Sequence, residues 1–319
     1  MGVQTADSIF RVTFGTEQAA LTRHDLGGVE LRLPMPLLGG CATEVLRSHG
    51  AVTRQAGSFI VNECDDTLIG AAIIDGTEHL EESAEHVYRE LLTLCDGWHL
   101  HRVWNYVPQI NQAQAGLERY QQFNIGRWVA FEERFGRDLR SYMPAASAVG
   151  VGGNQLAVLF SAGKRRPVFF ENPNQVPAYH YPPDYGPRPP GFARGVVIEG
   201  DGIRTIFLSG TASIEGHRSI GEGDWALQFR TTMHNIETML DRMGLPEALD
   251  AESWMDGTIV EGGYKCYLRH PESLSIIQEF MLEQTGLADS QITFVQADIC
   301  RAELDLEIEA TVTVRSGAA

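Results

Sequence analysis

Polar and apolar positions alternate over the stretch Gln296-Ala-Asp-Ile-Cys-Arg-Ala-Glu-Leu-Asp-Leu-Glu-Ile-Glu-Ala310. Cys300, Ala302, Leu304, Leu306 and Ile308 fall on one face and Arg301, Glu303, Asp305, Glu307 and Glu309 on the other, and this period of two predicts a strand. A charged face of this kind is ordinarily a solvated edge. Its place in a repeated order of elements makes it a candidate for chemistry.

The pattern upstream predicts a strand-rich N-terminal piece to about residue 52, interrupted by Pro34-Met-Pro36 and Gly39-Gly40. A first series follows: a strand from Ser58 to Glu63, a loop, an amphipathic helix around Ala84 to Cys95, a strand from Leu100 to Val107, a helix from Leu117 to Phe135 and a strand from Gln155 to Ser161. Residues 169–190 are too proline-rich for a helix or inner strand, and their aromatic residues mark an ordered loop rather than a solvated tether. The order then returns: strands from Gly195 to Glu199 and Thr205 to Ser209, a helix from Trp225 to Met243, a strand from Thr258 to Leu268, a helix from Pro271 to Leu282 and the acidic strand. This internal repeat divides the chain into an N-terminal strand-rich domain (1–54), a central α/β domain (55–165) and a C-terminal α/β domain (166–319) that includes the 169–190 linker. The final strand of the first copy, Val149 to Phe160, carries no acid opposite Glu307. Polar content is thus asymmetric between the copies, and a single cleft between them is expected.

With 319 residues, 43% of them hydrophobic, the chain exceeds one typical domain and has ample material for a core. No run of about twenty apolar residues occurs, and Met1-Gly-Val-Gln-Thr-Ala-Asp lacks the basic and apolar parts of a signal peptide, so a soluble, cytoplasmic protein is expected. Five scattered cysteines without a CxxC pair predict reduced, mostly buried thiols. A net charge of −17, with Lys164-Arg165-Arg166 the basic cluster, argues against nucleic acid and anionic membrane as partners. A small anion bound by a few placed arginines remains compatible with it.

Several motifs fail. Gly150-Val-Gly-Gly lacks dinucleotide-fingerprint spacing, His99-Leu-His101 has no third ligand nearby in sequence, and neither GxSxG nor HExxH occurs. The two histidines are read as non-metal residues.

Phe207-Leu-Ser-Gly-Thr-Ala-Ser-Ile214 before a long helix, and Cys300-Arg301 followed by Glu307-Ile-Glu-Ala310, resemble the RidA/YjgF fold. Phe170-Glu-Asn-Pro-Asn-Gln-Val-Pro-Ala-Tyr-His-Tyr-Pro182, Gly221-Glu-Gly-Asp224, Gln228-Phe-Arg-Thr-Thr232 and Lys265-Cys-Tyr-Leu-Arg-His-Pro271 make the resemblance more specific: the whole is similar to the chorismatases, from about residue 55 and most strongly over 169–310. The resemblance implies an α/β (α+β) monomer of tandem RidA/YjgF-like units in pseudo-threefold arrangement, with its active site between the central and C-terminal domains.

The implied substrate, chorismate, carries an enol-pyruvyl ether, and its cleavage to pyruvate begins with protonation of the methylene carbon by a general acid, so the resemblance implies that no metal or organic cofactor is needed. The family's catalytic glutamate falls on Glu307, whose pKa burial and the neighbouring Asp305 and Glu309 would raise. The substrate's carboxylates call for arginine forks, with Arg269 and Arg127 as candidates and Arg230 and Arg301 as alternatives. Gly210 and Thr211 would allow close backbone approach and a hydroxyl donor, and Tyr179 and Tyr267 would wall the ring pocket. In the family, cysteine at the position of Cys300 goes with release of 3-hydroxybenzoate, by internal displacement through the substrate's 4-hydroxyl. A small apolar residue there goes with the dihydroxy-cyclohexadiene acid. A second selector, glycine in some aromatising members, falls on Ala212 or Ser213, a departure that admits a mixture with 4-hydroxybenzoate. Competing readings are a RidA-type enamine or imine hydrolase and a non-catalytic module that binds a small acid.

Overall fold

A computed structural model of the chain describes residues 8–24, 28–48, 50–245, 248 and 250–315, so the expectation for Met1 to Asp7 lies outside the described residues. The N-terminal piece forms β1 (Ser8–Phe14), β2 (Ala20–Arg23), β3 (Val29–Leu33), β4 (Leu37–Gly40) and β5 (Thr43–Ser48). Four of these make a sheet in the order β2-β3-β1-β5. Its alternation buries Phe10, Val12, Val29, Leu31 and Leu33 on one face.

The central unit runs β6 (Val52–Ala56), β7 (Phe59–Glu63), β8 (Thr67–Asp75), α1 (Leu80–Leu94), β9 (His99–Pro108), the two-residue strands β10 (Ala113–Gln114) and β11 (Leu117–Glu118), α2 (Arg119–Phe135), β12 (Ala145–Val151) and β13 (Gln155–Gly163). The C-terminal unit runs β14 (Val168–Phe170), β15 (Gly195–Gly200), β16 (Ile203–Ala212), β17 (Ile214–Glu215), β18 (Arg218–Ser219), α3 (Trp225–Arg242), α4 (Ala251–Met255), β19 (Ile259–Leu268), α5 (Leu274–Thr285), β20 (Ile292–Gln296) and β21 (Leu306–Arg315). The sheet orders, β12-β9-β13-β8-β7-β6 and β14-β15-β16-β21-β19-β20-β4, correspond strand for strand when one is read backwards, with β4 added at the edge of the second. The repeat inferred from element order is therefore a repeat of topology.

Helices α1 and α2 cover one face of the central sheet, and α3 and α5 one face of the C-terminal sheet. The opposite faces meet the N-terminal sheet in one shared core that includes Phe10, Leu31, Trp104, Leu159, Phe207 and Val295. Three sheets around one core give the pseudo-threefold arrangement, with the N-terminal sheet in the third place. Gly126 sets the packing of α2: a Cβ there would lie 2.1 Å from the Glu81 carbonyl oxygen, so α1 and α2 approach closely only because it is glycine.

Some expectations change. Thr67–Asp75, read as loop, is strand β8; Leu68, Ile69, Ala71 and Ala72 are buried on both faces, which erases the alternation that marks a strand. Strand β6 pairs with β7, so the division expected at residue 54 falls inside a strand of the central sheet, while β4 pairs with β20. The acidic strand begins at Leu306, not Gln296. Strand β20 lies parallel to β19 on one side and β21 antiparallel on the other, so the chain must cross from one edge of β19 to the other, and residues 297–305 form that crossover. Asp305 therefore leaves the face of Glu307; its carboxylate accepts from Gln228 Nε2 at 3.0 Å and lies 3.2 Å from His270 Nε2. Of the five cysteines, all free thiols, Cys95 and Cys266 are buried and Cys41, Cys64 and Cys300 are half-buried. Among the described residues no helix is long and apolar enough to cross a membrane.

Candidate active site

A cavity of about 220 Å³ lies between α2, β12, β16, the start of β21, the proline-rich strap and the crossover loop. It is smaller than the ~300–1,000 Å³ usual for drug-sized ligands, and so suits a compact metabolite. Glu307 is the first inward residue of β21, directly opposite Ala212 on β16 and Tyr267 on β19. Its side chain reaches the cavity because β16 bulges between Leu208 and Thr211. At the bulge a Cβ on Gly210 would stand 1.9 Å from Glu307 Oε1, so the carboxyl occupies the space a side chain would fill. Ser209 fixes the bulge against the central unit: its hydroxyl donates to the Ala193 carbonyl at 2.6 Å and accepts from the Ala146 amide at 2.9 Å.

Glu307 is 3% exposed, and its Oε1 has no hydrogen-bond partner in the protein. Burial, then the charge of Glu309, push its pKa up to about 8, while Arg102 and Arg194 pull it down. Glu309 goes the other way. Burial opposes its ionisation, but Lys265 and Arg102 hold its carboxyl below the usual range. Its oxygens lie 2.9 Å from Lys265 Nζ and 2.7 Å from Arg102 Nη2, and Trp104 Nε1 donates to it at 2.9 Å. Two carboxyls on one strand face are thus driven apart, one toward the neutral acid and one toward the anion, which is the pattern of an acid paired with an electrostatic partner.

Three arginines line the cavity: Arg127, Arg194 and Arg301. Arg127 Nη2 donates to Asn124 Oδ1 at 3.0 Å, Arg194 Nη2 to Tyr181 Oη at 2.7 Å, and Arg301 Nη1 to the His217 carbonyl at 2.9 Å. Among the described residues none has a carboxylate within ion-pair distance, and the buried Arg194 Nε and Arg301 Nη2 have no acceptor. Arg301 stacks over Tyr185, 4.0 Å from the ring centre. Cys300 lines the same cavity, and burial pushes its thiol up to about 12, so it stands there as a neutral, compact group.

Of the residues expected at the site, Glu307, Cys300, Arg127, Gly210, Ala212 and Arg301 come together around this cavity. Others do not. Thr211 lies beyond the bulge opposite Ile308, on the helix-covered face, and its hydroxyl donates to the Ser209 carbonyl. Tyr267 is fully buried in the shared core, with Lys265 Nζ 5.4 Å from its ring centre, so it supports Glu307 from below instead of walling the pocket. Tyr179 turns to the central unit's core and to Glu171. Arg269 is used structurally: Nη1 pairs with Asp298 at 2.5 Å, Nε donates to the Leu304 carbonyl and Nη2 to the Arg301 carbonyl, each at 2.9 Å. It holds the crossover that carries Cys300 and Arg301. Arg230 is exposed on α3, and Ser213 donates to the Ile220 carbonyl, leaving Ala212 as the residue of that pair on the cavity wall.

Sequence reasoning missed Arg194, Tyr120, Tyr181 and Tyr185 at the cavity and Arg102 behind it. Tyr181 and Tyr185 sat in plain view in a strap too aromatic to be a tether. Arg102 sits in a strand that is buried from Leu100 to Val107, where an arginine demands a buried acid.

A family model described as Chorismatase FkbO/Hyg5-like, N-terminal, matches residues 44–162. The chain is 38% identical over 218 residues to a 3-hydroxybenzoate synthase of Streptomyces hygroscopicus, an alignment covering 66% of this chain and 62% of that enzyme. It is 34% identical over 217 residues to a chorismatase of Streptomyces rapamycinicus, covering 67% of this chain and 64% of the relative. Each alignment thus spans less than two thirds of the relative's length. A crystal structure of a chorismatase superposes with a TM-score of 0.81 at 26% identity, over 97% of this chain and 93% of that one.

Proposed function

We propose, from its similarity to the chorismatases, that the chain cleaves the enol-pyruvyl ether of chorismate to pyruvate and 3-hydroxybenzoate, with Glu307 as the general acid. One observation carries the reading: a buried glutamic acid with a free oxygen, held neutral beside an anionic partner, in a cavity that also presents three arginines without carboxylates. Glu307 donates its proton to the terminal methylene carbon, and the bond between ring and ether oxygen breaks, its electron pair completing the carbonyl of pyruvate. The substrate's 4-hydroxyl oxygen bonds to the ring carbon so released, and the hydroxyl proton returns to the Glu307 carboxylate. Opening of the oxygen's original bond, with the neighbouring ring hydrogen lost from carbon and a proton taken up by oxygen, leaves 3-hydroxybenzoate. The two products together are an isomer of chorismate, so no water is consumed.

Arg127, Arg194 and Arg301 are the proposed carboxylate partners. Cys300, neutral and small, is proposed to occupy the space from which water would attack, and Ala212 the wall opposite Glu307. Three sheets of one chain around one core support action as a monomer. The test is incubation of the purified protein with chorismate, followed by pyruvate assay and chromatographic identification of the ring product. Pyruvate with 3-hydroxybenzoate bears the proposal out, and pyruvate with the dihydroxy-cyclohexadiene acid overturns the role of Cys300. Absence of pyruvate overturns the reaction and returns the imine-hydrolase and binding-module readings.

A further inference from the structure

The N-terminal sheet brings a carboxylate toward the catalytic centre. Glu44, on β5, grips Lys265 Nζ with both oxygens, at 2.7 and 2.8 Å. Lys265 is 2% exposed and passes the contact on to Glu309 at 2.9 Å, and Glu309 pairs with Arg102 at 2.7 Å. Glu44, Lys265 and Glu309 line a second cavity of about 570 Å³, separate from the one that Glu307 faces. Three sheets thus contribute to one cluster: Glu44, half-buried, from the first, and the buried Arg102 from the second and Lys265 and Glu309 from the third.

Two cations, Lys265 and Arg102, meet two anions, Glu44 and Glu309, and no cation of the cluster remains for an ionised Glu307. Facing Glu307 are Arg102 from β9, Glu309 from its own strand, Tyr267 from β19, Tyr120 from α2, Cys300 from the crossover and Arg194 just before β15. Facing Glu309 are Arg102, Trp104 and Tyr106 from β9 and Lys265 and Tyr267 from β19, with Glu44 beyond, whose own ionisation burial and the Glu309 charge oppose and Lys265 favours. In a low-dielectric interior an uncompensated charge is felt across such distances.

We propose that Glu44 is a positioning residue for the reaction: by drawing on the Lys265 charge it leaves the negative charge of Glu309 less compensated toward Glu307 and so keeps the catalytic acid protonated. This rests on the proposed role of Glu307. Residues 1–54 then do more than complete the core, because the N-terminal sheet sets the pH range in which the acid works.

The experiment compares the wild-type protein, Glu44→Gln and Glu44→Asp in two measurements. The first is pyruvate release from chorismate across pH. The second is an infrared difference titration of the protonated carboxyl band, assigned by its loss in Glu307→Gln. Removing one charge from the cluster frees Lys265 to favour ionised Glu307, so Glu44→Gln is expected to move both the basic limb of the rate and the infrared titration down by about one pH unit. Glu44→Asp, which restores the charge, is expected to return them toward the wild-type position. A merely structural role would lower the rate at every pH without moving the limb, and an unmoved infrared titration overturns the proposal. If wild type releases no pyruvate, the reaction itself fails, while the infrared titration still reports whether Glu44 governs Glu307.

Discussion

Glu307→Gln removes the proposed proton donor while keeping the size and neutrality of the side chain, and it is expected to push activity and stability in opposite directions. A positioned general acid contributes roughly 10²–10⁴-fold, so pyruvate release should fall by at least that range, with chorismate binding retained. The stability effect follows from the pKa of about 8 in the folded chain against a starting value of 4.5. A carboxyl raised on folding contributes stability that is complete below its unfolded value and is lost as pH rises through the folded one. Between those limits the wild type forgoes about 1.4 kcal/mol per pH unit, which amounts to under 1 kcal/mol at pH 5 and about 3 kcal/mol at pH 7. Glutamine, which does not ionise, escapes this loss. Urea denaturation of both proteins at pH 5, 6, 7 and 8 should therefore show the variant's advantage growing with pH and levelling off above 8. A stability difference independent of pH, or near-normal pyruvate release, refutes the reasoning.

Gly210→Ala places a Cβ 1.9 Å from Glu307 Oε1 and 3.1 Å from Ser147 Cβ, so the carboxyl has to move aside; a displacement of about 1 Å costs on the order of 100-fold in rate, and steady-state kinetics with normal circular dichroism would show it. Cys300→Ala should shift the ring product from 3-hydroxybenzoate toward the dihydroxy-cyclohexadiene acid, with an oxygen atom taken from labelled water. Unchanged product removes Cys300 from the selector role. Arg301→Met removes a charged donor aimed into the cavity, and loss of one charge-assisted hydrogen bond of about 1.5–3 kcal/mol should lower kcat/KM by roughly 10- to 100-fold, mostly through KM.

The repeat, the helices and the placing of Glu307, Cys300, Arg127, Gly210, Ala212 and Arg301 were legible because each leaves a local mark: a period, a breaker or a family motif. What stayed hidden depends on relations between strands. Strand β8 is buried on both faces, so nothing alternates. The crossover at 297–305 exists only because β20 and β21 flank β19, a fact of sheet order that no window of sequence contains. Arg269 and Tyr267 are of the residue types a site would use, and they sit one step away from it. Only the partners of Arg269, the Leu304 and Arg301 carbonyls among them, reveal that it holds a loop. The asymmetry of the copies was visible and has a structural meaning: Tyr106 and Tyr267 hold corresponding places, with Ala157 opposite the first and Glu307 opposite the second.

That asymmetry bears on how the acid responds to its substrate. Arg194 pulls the pKa of Glu307 down in the free protein, and Arg127 and Arg301 stand in the same cavity without carboxylates of their own. A dianionic ligand seated on these arginines neutralises the charge that favours ionised Glu307 and excludes water from beside it, while Glu309, tied to Lys265 and Arg102, keeps its charge. Both changes favour the protonated acid, so the basic limb should lie near pH 8 in kcat/KM, which reports the free enzyme, and higher in kcat, which reports the complex. Arg194→Met should raise the limb in kcat/KM and bring the two limbs closer, because the variant lacks beforehand the charge that substrate would cancel. Limbs that coincide in the wild type, or that move apart in Arg194→Met, would show that the arginines and the acid are not coupled through charge.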